Sequence, residues 1–275
     1  MKTILLHVQD DERVDIRVEN ALAIARAASA HLDVLHVTPE EAMATFESFG
    51  GIDVDGSGRK ALENAEDALE ARVRDELKNE DVSWDYHRVV GPTLNSLASR
   101  AALSDLIVTG RTAHRQHGRA TPLQMLGDLL HESRTPLFLR GEEKERFDPC
   151  GTAMIAWDGS YEAANAVRNA AGLLRLASEV HVVRVTEKGE EVPPGLYPLT
   201  RVLEYLSRLG IHGEYHRIAE VDGLVTEALY DHGRKHGAGL LVAGGYSHSR
   251  IGQYFFGGVT RTLLQDCPMG LAIAH

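Results

Sequence analysis

The chain has 275 residues, of which 43% are apolar and 25% are charged, values that are typical of folded globular proteins. This length predicts two domains of ordinary size, each able to bury a core, and argues against disorder over most of the chain. The formal net charge of -11 argues against a surface that neutralises nucleic-acid phosphates or lies on an anionic membrane.

Cysteine usage and hydropathy predict a cytoplasmic protein. The two cysteines, Cys150 and Cys267, are far apart in sequence and have no CxxC spacing, so neither a disulfide framework nor a structural zinc site is predicted. The opening residues MKTILLHVQDDER contain too few apolar residues for a signal peptide. No run of about 18 apolar residues indicates a membrane span. We therefore expect neither a nucleic-acid nor a membrane partner.

In chain order, five apolar runs in the first half are followed by five counterparts in the second half. The pairs are ILLHV at 4–8 with MIAWD at 154–158, LDVLHV at 32–37 with VHVVRV at 180–185, YHRVVG at 86–91 with YHRIAE at 215–220, DLIVTG at 105–110 with GLLVAG at 239–244, and TPLFL at 135–139 with the CPMGLAI that begins at Cys267. Because the order is the same in both halves, the sequence predicts an internal repeat.

The stretches between these runs have helical periodicity. VENALAIARAASA follows the first run and YEAANAVRNAAGLLRLA follows its counterpart, with alanine and leucine recurring at helical spacing. Short apolar strands that alternate with helices predict parallel strands covered on both faces. We therefore predict an α/β fold of two tandem doubly wound, flavodoxin-like open sheets. The charged segment GEEKERFDP predicts a boundary that gives domains at 1–141 and 150–275.

Ligands of open parallel sheets bind beyond the carboxyl ends of the strands. In the second half this rule selects Asp158, Val185 and the loop GGYSHSRIGQYFFGGVT at 244–260. Asp158 either contacts a ribose hydroxyl or a phosphate-held metal, or belongs to a DGS sequence that only caps the next helix. The loop either binds phosphate through its amides and the following helix start, or its glycines only reverse the chain.

The loop and its surroundings resemble the universal stress proteins, in their tandem two-domain form. The nucleotide signature of that family is GxxGxxxxxxxxxG followed by serine or threonine. Gly244, Ser247, Gly257 and Gly258 occupy its four positions with the spacing intact. The sequences AWDGS, GYSHSR, GGVTRTLL and CPMGLAIAH add to the resemblance, which covers essentially the whole chain. It implies the adenine nucleotide alpha hydrolase-like fold in each domain.

The resemblance also implies that the second domain binds ATP or another adenine nucleotide, with Mg²⁺ as a companion ion. Asp158 would lie near the ribose or the phosphates, and Val185 near the adenine. The residues implied around the phosphates and ribose are Ala243, Gly244, Ser247, Gly257, Gly258 and Val259.

Two signature positions differ from the family, and one basic residue is added by charge alone. Ser247 brings a Cβ that restricts positive φ, together with a hydroxyl donor. Gly258 lacks the family's hydroxyl but keeps its backbone amide at a helix start. Arg250 either pairs with phosphate or is a solvated surface arginine. We expect these exchanges to weaken nucleotide binding without abolishing it.

The first half departs further from the signature. Ala113 takes the second glycine position, and Asp128 places a carboxylate where phosphate would sit. Gln9 stands where the second half has Asp158. We therefore predict no nucleotide site of the standard kind in the first domain. Three basic residues there could meet another anion: Arg111, Arg115 and Arg119.

The histidines and Cys267 are assigned structural roles. His232 and His236 are four residues apart on a predicted helix, but no HExxH motif accompanies them and cations suit a helix end, so no metal site is predicted. His7 and His36 fall within strand runs, where a hydrogen-bonded imidazole is expected. Cys267 is expected to be buried. No catalytic residue is assigned, because triads are recognised by geometry and not by sequence order.

Three functions follow from these observations. The leading prediction is a stress-response protein that binds an adenine nucleotide in its second domain and hydrolyses ATP slowly at most, because no general base is evident. The alternative is an interaction or dimerisation module whose pockets have degenerated. The third is an ATP-dependent enzyme, which would need further catalytic motifs. The resemblance implies that the last strands of the two domains pair with each other, which would cover the apolar edges at 137–139 and 270–274. A further homodimer stays open.

Overall fold

The computed structural model describes residues 1–40, 57–111, 122–140, 146–187, 197–221, 224–245 and 258–275. In the first half the elements are β1 (Thr3–Val8), α1 (Val14–Ala28), β2 (His31–Thr38), α2 (Ser57–Leu77), β3 (Trp84–Val90), α3 (Thr93–Ala101), β4 (Leu106–Thr109), α4 (Leu123–Ser133) and β5 (Leu137–Leu139). In the second half they are β6 (Thr152–Ala156), α5 (Tyr161–Asn169), α6 (Ala171–Leu174), β7 (Glu179–Glu187), α7 (Leu199–Arg208), β8 (Gly213–Val221), α8 (Val225–His236), β9 (Ala238–Gly244), α9 (Gly258–Asp266) and β10 (Gly270–Ala274).

The strands form one 10-stranded sheet in the order β3-β2-β1-β4-β5-β10-β9-β6-β7-β8. Each half contributes five strands in the same internal order, so the α/β fold and the internal repeat are confirmed. All neighbouring strands are parallel except β5 and β10. These two strands are antiparallel, and Phe138 lies opposite Ala272. The two halves share one sheet because the short apolar edge strands β5 and β10 pair with each other.

Alternate residues of each strand face opposite sides of the sheet, and both sides are covered. Ile4 and Leu6 of β1 are buried in the core that includes residues of α1, α2, α5 and α7. Leu5, between them, is buried in the second core, beneath α3, α4, α8 and α9. This double burial explains why the strand sequences are nearly continuous apolar runs.

Contacts outside the strand ladder hold the boundary segment and the second half against the first half. Phe147, within the predicted boundary segment, is buried with its ring centroid 4.8 Å from that of Phe138. The buried Arg111 guanidinium donates to the carbonyl oxygens of Leu263, at 3.2 Å, and of Cys267 at the end of α9. Arg111 thus donates hydrogen bonds to carbonyl groups at the C-terminal end of a helix, where intrahelical donors are lacking. None of the helices that the structure describes has the length and apolar character needed to traverse a bilayer.

Candidate functional site

The carboxyl ends of β6, β7 and β9 meet at one edge of the sheet. β6 lies between the other two strands and pairs in parallel with both. The Trp157 amide donates to the Val183 carbonyl oxygen at 2.8 Å. This hydrogen bond continues the pairing with β7 for one residue beyond the end of β6. Three of the residues selected from the sequence, Asp158, Val185 and Gly244, therefore stand at the same edge.

Asp158 and Ser160 build the start of α5. Asp158 Oδ1 accepts the Ser160 amide at 2.8 Å, and Ser160 Oγ accepts the Ala163 amide at 3.0 Å, as an N-cap does. Gly159 between them has a φ of 83°, which glycine adopts without strain. The DGS sequence therefore does cap the helix. The Asp158 side chain is exposed, so its carboxylate can also accept a hydrogen bond from a ligand.

Gly244 ends β9 in contact with the first turn of α5. A Cβ built on Gly244 would lie 2.6 Å from the carbonyl carbon of Glu162 and 2.7 Å from the amide nitrogen of Ala163. Because these atoms belong to the backbone, a larger residue could not be accommodated by a side-chain movement. Gly244 thus allows the end of β9 to lie against the first turn of α5 at the candidate site.

The start of α9 is open. Gly258 and Val259 are exposed, and no described atom lies within 4 Å of the position that a Cβ on Gly258 would take. The amides of a first helical turn lack intrahelical acceptors and favour anions. Three of the residues selected from the sequence, Ser247, Arg250 and Gly257, lie outside the described residues.

Val185 and Ala243 lie against the core in the second half of the chain. Ala243 is 3% exposed and belongs to the core beneath α8 and α9, and Val185 is half-buried against the same core. Their side chains therefore face the α8 side of the sheet. An adenine ring at this edge would contact the side chains of Val185 and Ala243 only where that core ends.

A groove on the opposite face, beside Asp158, was not identified from the sequence. It has a volume of about 260 Å³ and lies between α5 and α7. Its lining includes Trp157, Tyr161, Arg168, Tyr197, Arg201 and Tyr205. The signal in the sequence is the helical spacing of aromatic and basic residues, such as Tyr161 with Arg168 and Arg201 with Tyr205. Aromatic rings and guanidinium groups together suit a planar or anionic ligand.

The equivalent edge of the first half is filled by the protein itself. The Arg17 guanidinium donates to the His7 carbonyl oxygen at 2.8 Å and pairs with Asp11 at 2.9 Å. A Cβ built on Gly110, the counterpart of Gly244, would lie 2.4 Å from Arg17 Nη1. Although burial by itself would raise the pKa of Asp11, the charge and hydrogen bond of Arg17 lower it overall. The ion pair of the buried Arg17 with Asp11 therefore lies against Gly110.

The two strand histidines of the first half have the structural roles expected of them. His7 Nδ1 lies 3.0 Å from Thr109 Oγ1. Burial, and then the charge of Arg17, lower the pKa of His7 to about 3, so its ring is neutral near pH 7. His36 is buried, bonds to Glu66, and lies 2.8 Å from the Tyr86 hydroxyl. Cys267 is fully buried, also as expected.

Comparison with known proteins relates the chain to solved structures. No protein-family model matches the chain, and no curated protein matches it. A universal stress protein from Archaeoglobus fulgidus is 14% identical, with 99% of this chain and 97% of that chain covered and a TM-score of 0.72. A Pseudomonas aeruginosa structure assigned to the universal stress proteins is 15% identical, with coverages of 100% and 93% and a TM-score of 0.63.

A further Pseudomonas aeruginosa protein, functionally unknown, is 14% identical, with coverages of 100% and 92% and a TM-score of 0.60. At such identities the likeness concerns the fold. It extends across both halves, because the alignments span nearly the whole of each chain. From its first strand to its last, this chain has the fold of the solved universal stress proteins.

Proposed function

We propose that the second half, as a domain spanning 150–275, binds an adenine nucleotide at the carboxyl edge of β6, β7 and β9. The observation that carries this proposal is the difference between the two edges. In the first half Arg17 occupies the space against Gly110, whereas in the second half Asp158 and Gly258 are exposed. The family signature at Gly244, Ser247, Gly257 and Gly258 supports the same location.

The described residues fit a nucleotide in distinct ways. The open amides at the start of α9 suit the phosphates, because a helix start favours negative charge. The exposed Asp158 carboxylate suits a ribose hydroxyl or a phosphate-bound Mg²⁺. Val185 and the backbone of Ala243 border the adenine. Ser247, Arg250, Gly257 and Val259 complete the phosphate loop in this proposal.

The antiparallel pairing of β5 with β10 supports the pairing of this domain with a first domain at 1–141 of the same chain. In this arrangement the first domain serves as a structural partner, because its own edge holds the Arg17–Asp11 pair. Nucleotide binding then requires no second copy of the chain.

The test is nucleotide affinity measured by calorimetry, with ATP, ADP and AMP, for the full chain and two variants. Gly258→Glu places a carboxylate at the start of α9, and we expect it to weaken ATP binding about 100-fold. Gly239→Glu is the matched control, because no described atom lies within 4 Å of a Cβ at Gly239 either, and Gly239 lies at the other end of β9. Absence of ATP binding by the unaltered chain, or equal affinities for the two variants, would refute the proposal and favour an interaction module.

A second comparison separates the two roles of Asp158. Asp158→Ala should weaken ATP binding about tenfold, as expected for a hydrogen bond to a charged group. Asp148→Ala is the control, because Asp148 is exposed and accepts the Cys150 amide at 2.9 Å in the same kind of turn. If the loss occurs only when Mg²⁺ is present, Asp158 contacts the metal; if it occurs equally without Mg²⁺, Asp158 contacts the ribose.

A further inference from the structure

Four histidines of the second half meet on the face of the sheet beneath α8. His181 lies on β7 and His216 on β8, where β-strand register places His216 level with Val183, two residues beyond His181. His232 and His236 are one turn apart on α8, so they project from the same side of that helix. Helix α8 packs on this face through the buried Leu229. Three separate elements therefore deliver the four rings.

The ring nitrogens are close enough to share one ion. His181 Nδ1 lies 2.7 Å from His216 Nε2. One ligating nitrogen from each of His181, His216 and His232 lies within 4.8 Å of the other two. The His236 ring stacks on His232 with 4.3 Å between centroids, and it lies 4.8 Å from His181 and 5.0 Å from His216.

The electrostatics suit a cation. Neutral imidazole is the form that binds metal. The carboxylates of Glu179 and Glu214 lie 3.7 Å from His181 Nε2 and 3.6 Å from His216 Nε2 respectively. They place negative charge beside the cluster.

The cluster also contains polar atoms that packing alone does not satisfy. Within the described part of the chain, Nε2 of His181 and Nε2 of His232 are buried without a hydrogen-bond partner. Leaving a buried polar group unpaired costs about 1–3 kcal/mol. His36 avoids this cost by bonding to Glu66 and Tyr86, whereas the structural His7 leaves its Nε2 unpaired among the described residues. Two unpaired nitrogens in one cluster point to a ligand.

We propose that His181, His216 and His232 bind one divalent transition-metal ion of the zinc class, with His236 or a water molecule as the fourth ligand. Imidazole nitrogens are preferred ligands of such ions, and Zn²⁺ favours tetrahedral coordination. In a tetrahedral site with N–Zn bonds of about 2.0–2.1 Å, the ligating nitrogens stand roughly 3.3 Å apart. The observed spacing is 2.7 Å between His181 Nδ1 and His216 Nε2, and the nitrogens of the three histidines all lie within 4.8 Å of one another.

The metal site is separate from the proposed nucleotide site. His181 is near the amino end of β7, and Val185 is four residues further along, a separation of about 13 Å along an extended strand. An ion here would connect β7 and α8 to β8, which is the last strand of the sheet. Because the ion binds only the folded arrangement, it would stabilise this edge of the protein.

The test is metal binding by the full chain after chelator treatment. We expect one equivalent of Zn²⁺ in a competition titration with a chromophoric chelator, and visible d–d absorption of tetrahedral Co²⁺ when Co²⁺ is the probe. His216→Ala and His232→Ala should each weaken Zn²⁺ binding about 100-fold. His212→Ala is the control, because His212 is an exposed histidine of the same half. The Zn²⁺ affinity of this variant should equal that of the unaltered chain.

The outcomes are distinguishable even if a variant folds poorly, which circular dichroism would reveal. Tetrahedral Co²⁺ bands in the unaltered chain that disappear on addition of Zn²⁺ support the site without any variant. The proposal is overturned if the unaltered chain shows no such bands and binds no equivalent of Zn²⁺. It is equally overturned if well-folded His216→Ala and His232→Ala chains bind Zn²⁺ as tightly as the His212→Ala control.

Discussion

At Gly244, the candidate nucleotide site and the packing of β9 against α5 depend on the same atoms of a single residue. Replacing it with alanine places a Cβ 2.6 Å from the Glu162 carbonyl carbon, which the backbone of α5 cannot easily avoid. We expect Gly244→Ala to lower the free energy of unfolding by about 1–3 kcal/mol, as overpacking does. Urea denaturation measures this change.

The matched substitution is Gly239→Ala in the same strand. No described atom lies within 4 Å of a Cβ at Gly239, so we expect little loss of stability there. Equal urea midpoints for the two variants would show that the close approach of β9 to α5 does not constrain Gly244.

The strand pair β5–β10 is the element on which the continuous sheet depends. A Cβ built on Gly270 would lie 3.0 Å from two ring carbons of Phe138, which is itself 1% exposed. We expect Gly270→Ala to destabilise the chain by about 1–3 kcal/mol. In a Phe138→Leu background the added methyl group no longer meets a ring, so we expect the cost of Gly270→Ala to fall by about 1 kcal/mol.

A double-mutant cycle measured by chemical denaturation tests this coupling. Strictly additive free energies in the cycle would contradict the close contact between Gly270 and Phe138. The same measurement on Gly239→Ala combined with Phe138→Leu provides the reference, because no described atom approaches the added Cβ at Gly239.

The whole molecule should unfold as one unit. Each of the two core layers contains residues from both halves, such as Leu6 with Ile155 on one face and Leu5 with Met154 on the other. Since the sheet is also continuous, we expect one calorimetric transition in which the calorimetric and van't Hoff enthalpies agree.

Ala272→Pro gives the contrasting case. Ala272 is in the middle of β10, where proline removes a ladder hydrogen bond with β5 or β9. We expect this variant to unfold in two separate transitions or at a much lower temperature. Two transitions already present in the unaltered chain would contradict the single cooperative unit.

Much of the architecture could be predicted from the sequence, because it depends on patterns that are local to the chain. Apolar runs that recur in the same order in both halves indicate repeated α/β units, and the structure confirms this organisation. The placement of Asp158 and Gly244 at one edge follows from strand order alone. Ser247, Arg250 and Gly257 lie outside the described residues, so their roles stay predictions.

Tertiary structure alone decided the features that depend on residues distant in sequence. The sequence does not show that Arg17 approaches Gly110, nor that β5 and β10 run antiparallel to each other. It shows the pair His232 and His236 but not His181 and His216, which reach the same point from two strands. Periodicity reports which face of an element a residue occupies; only the packing of one element against another decides which side chains meet.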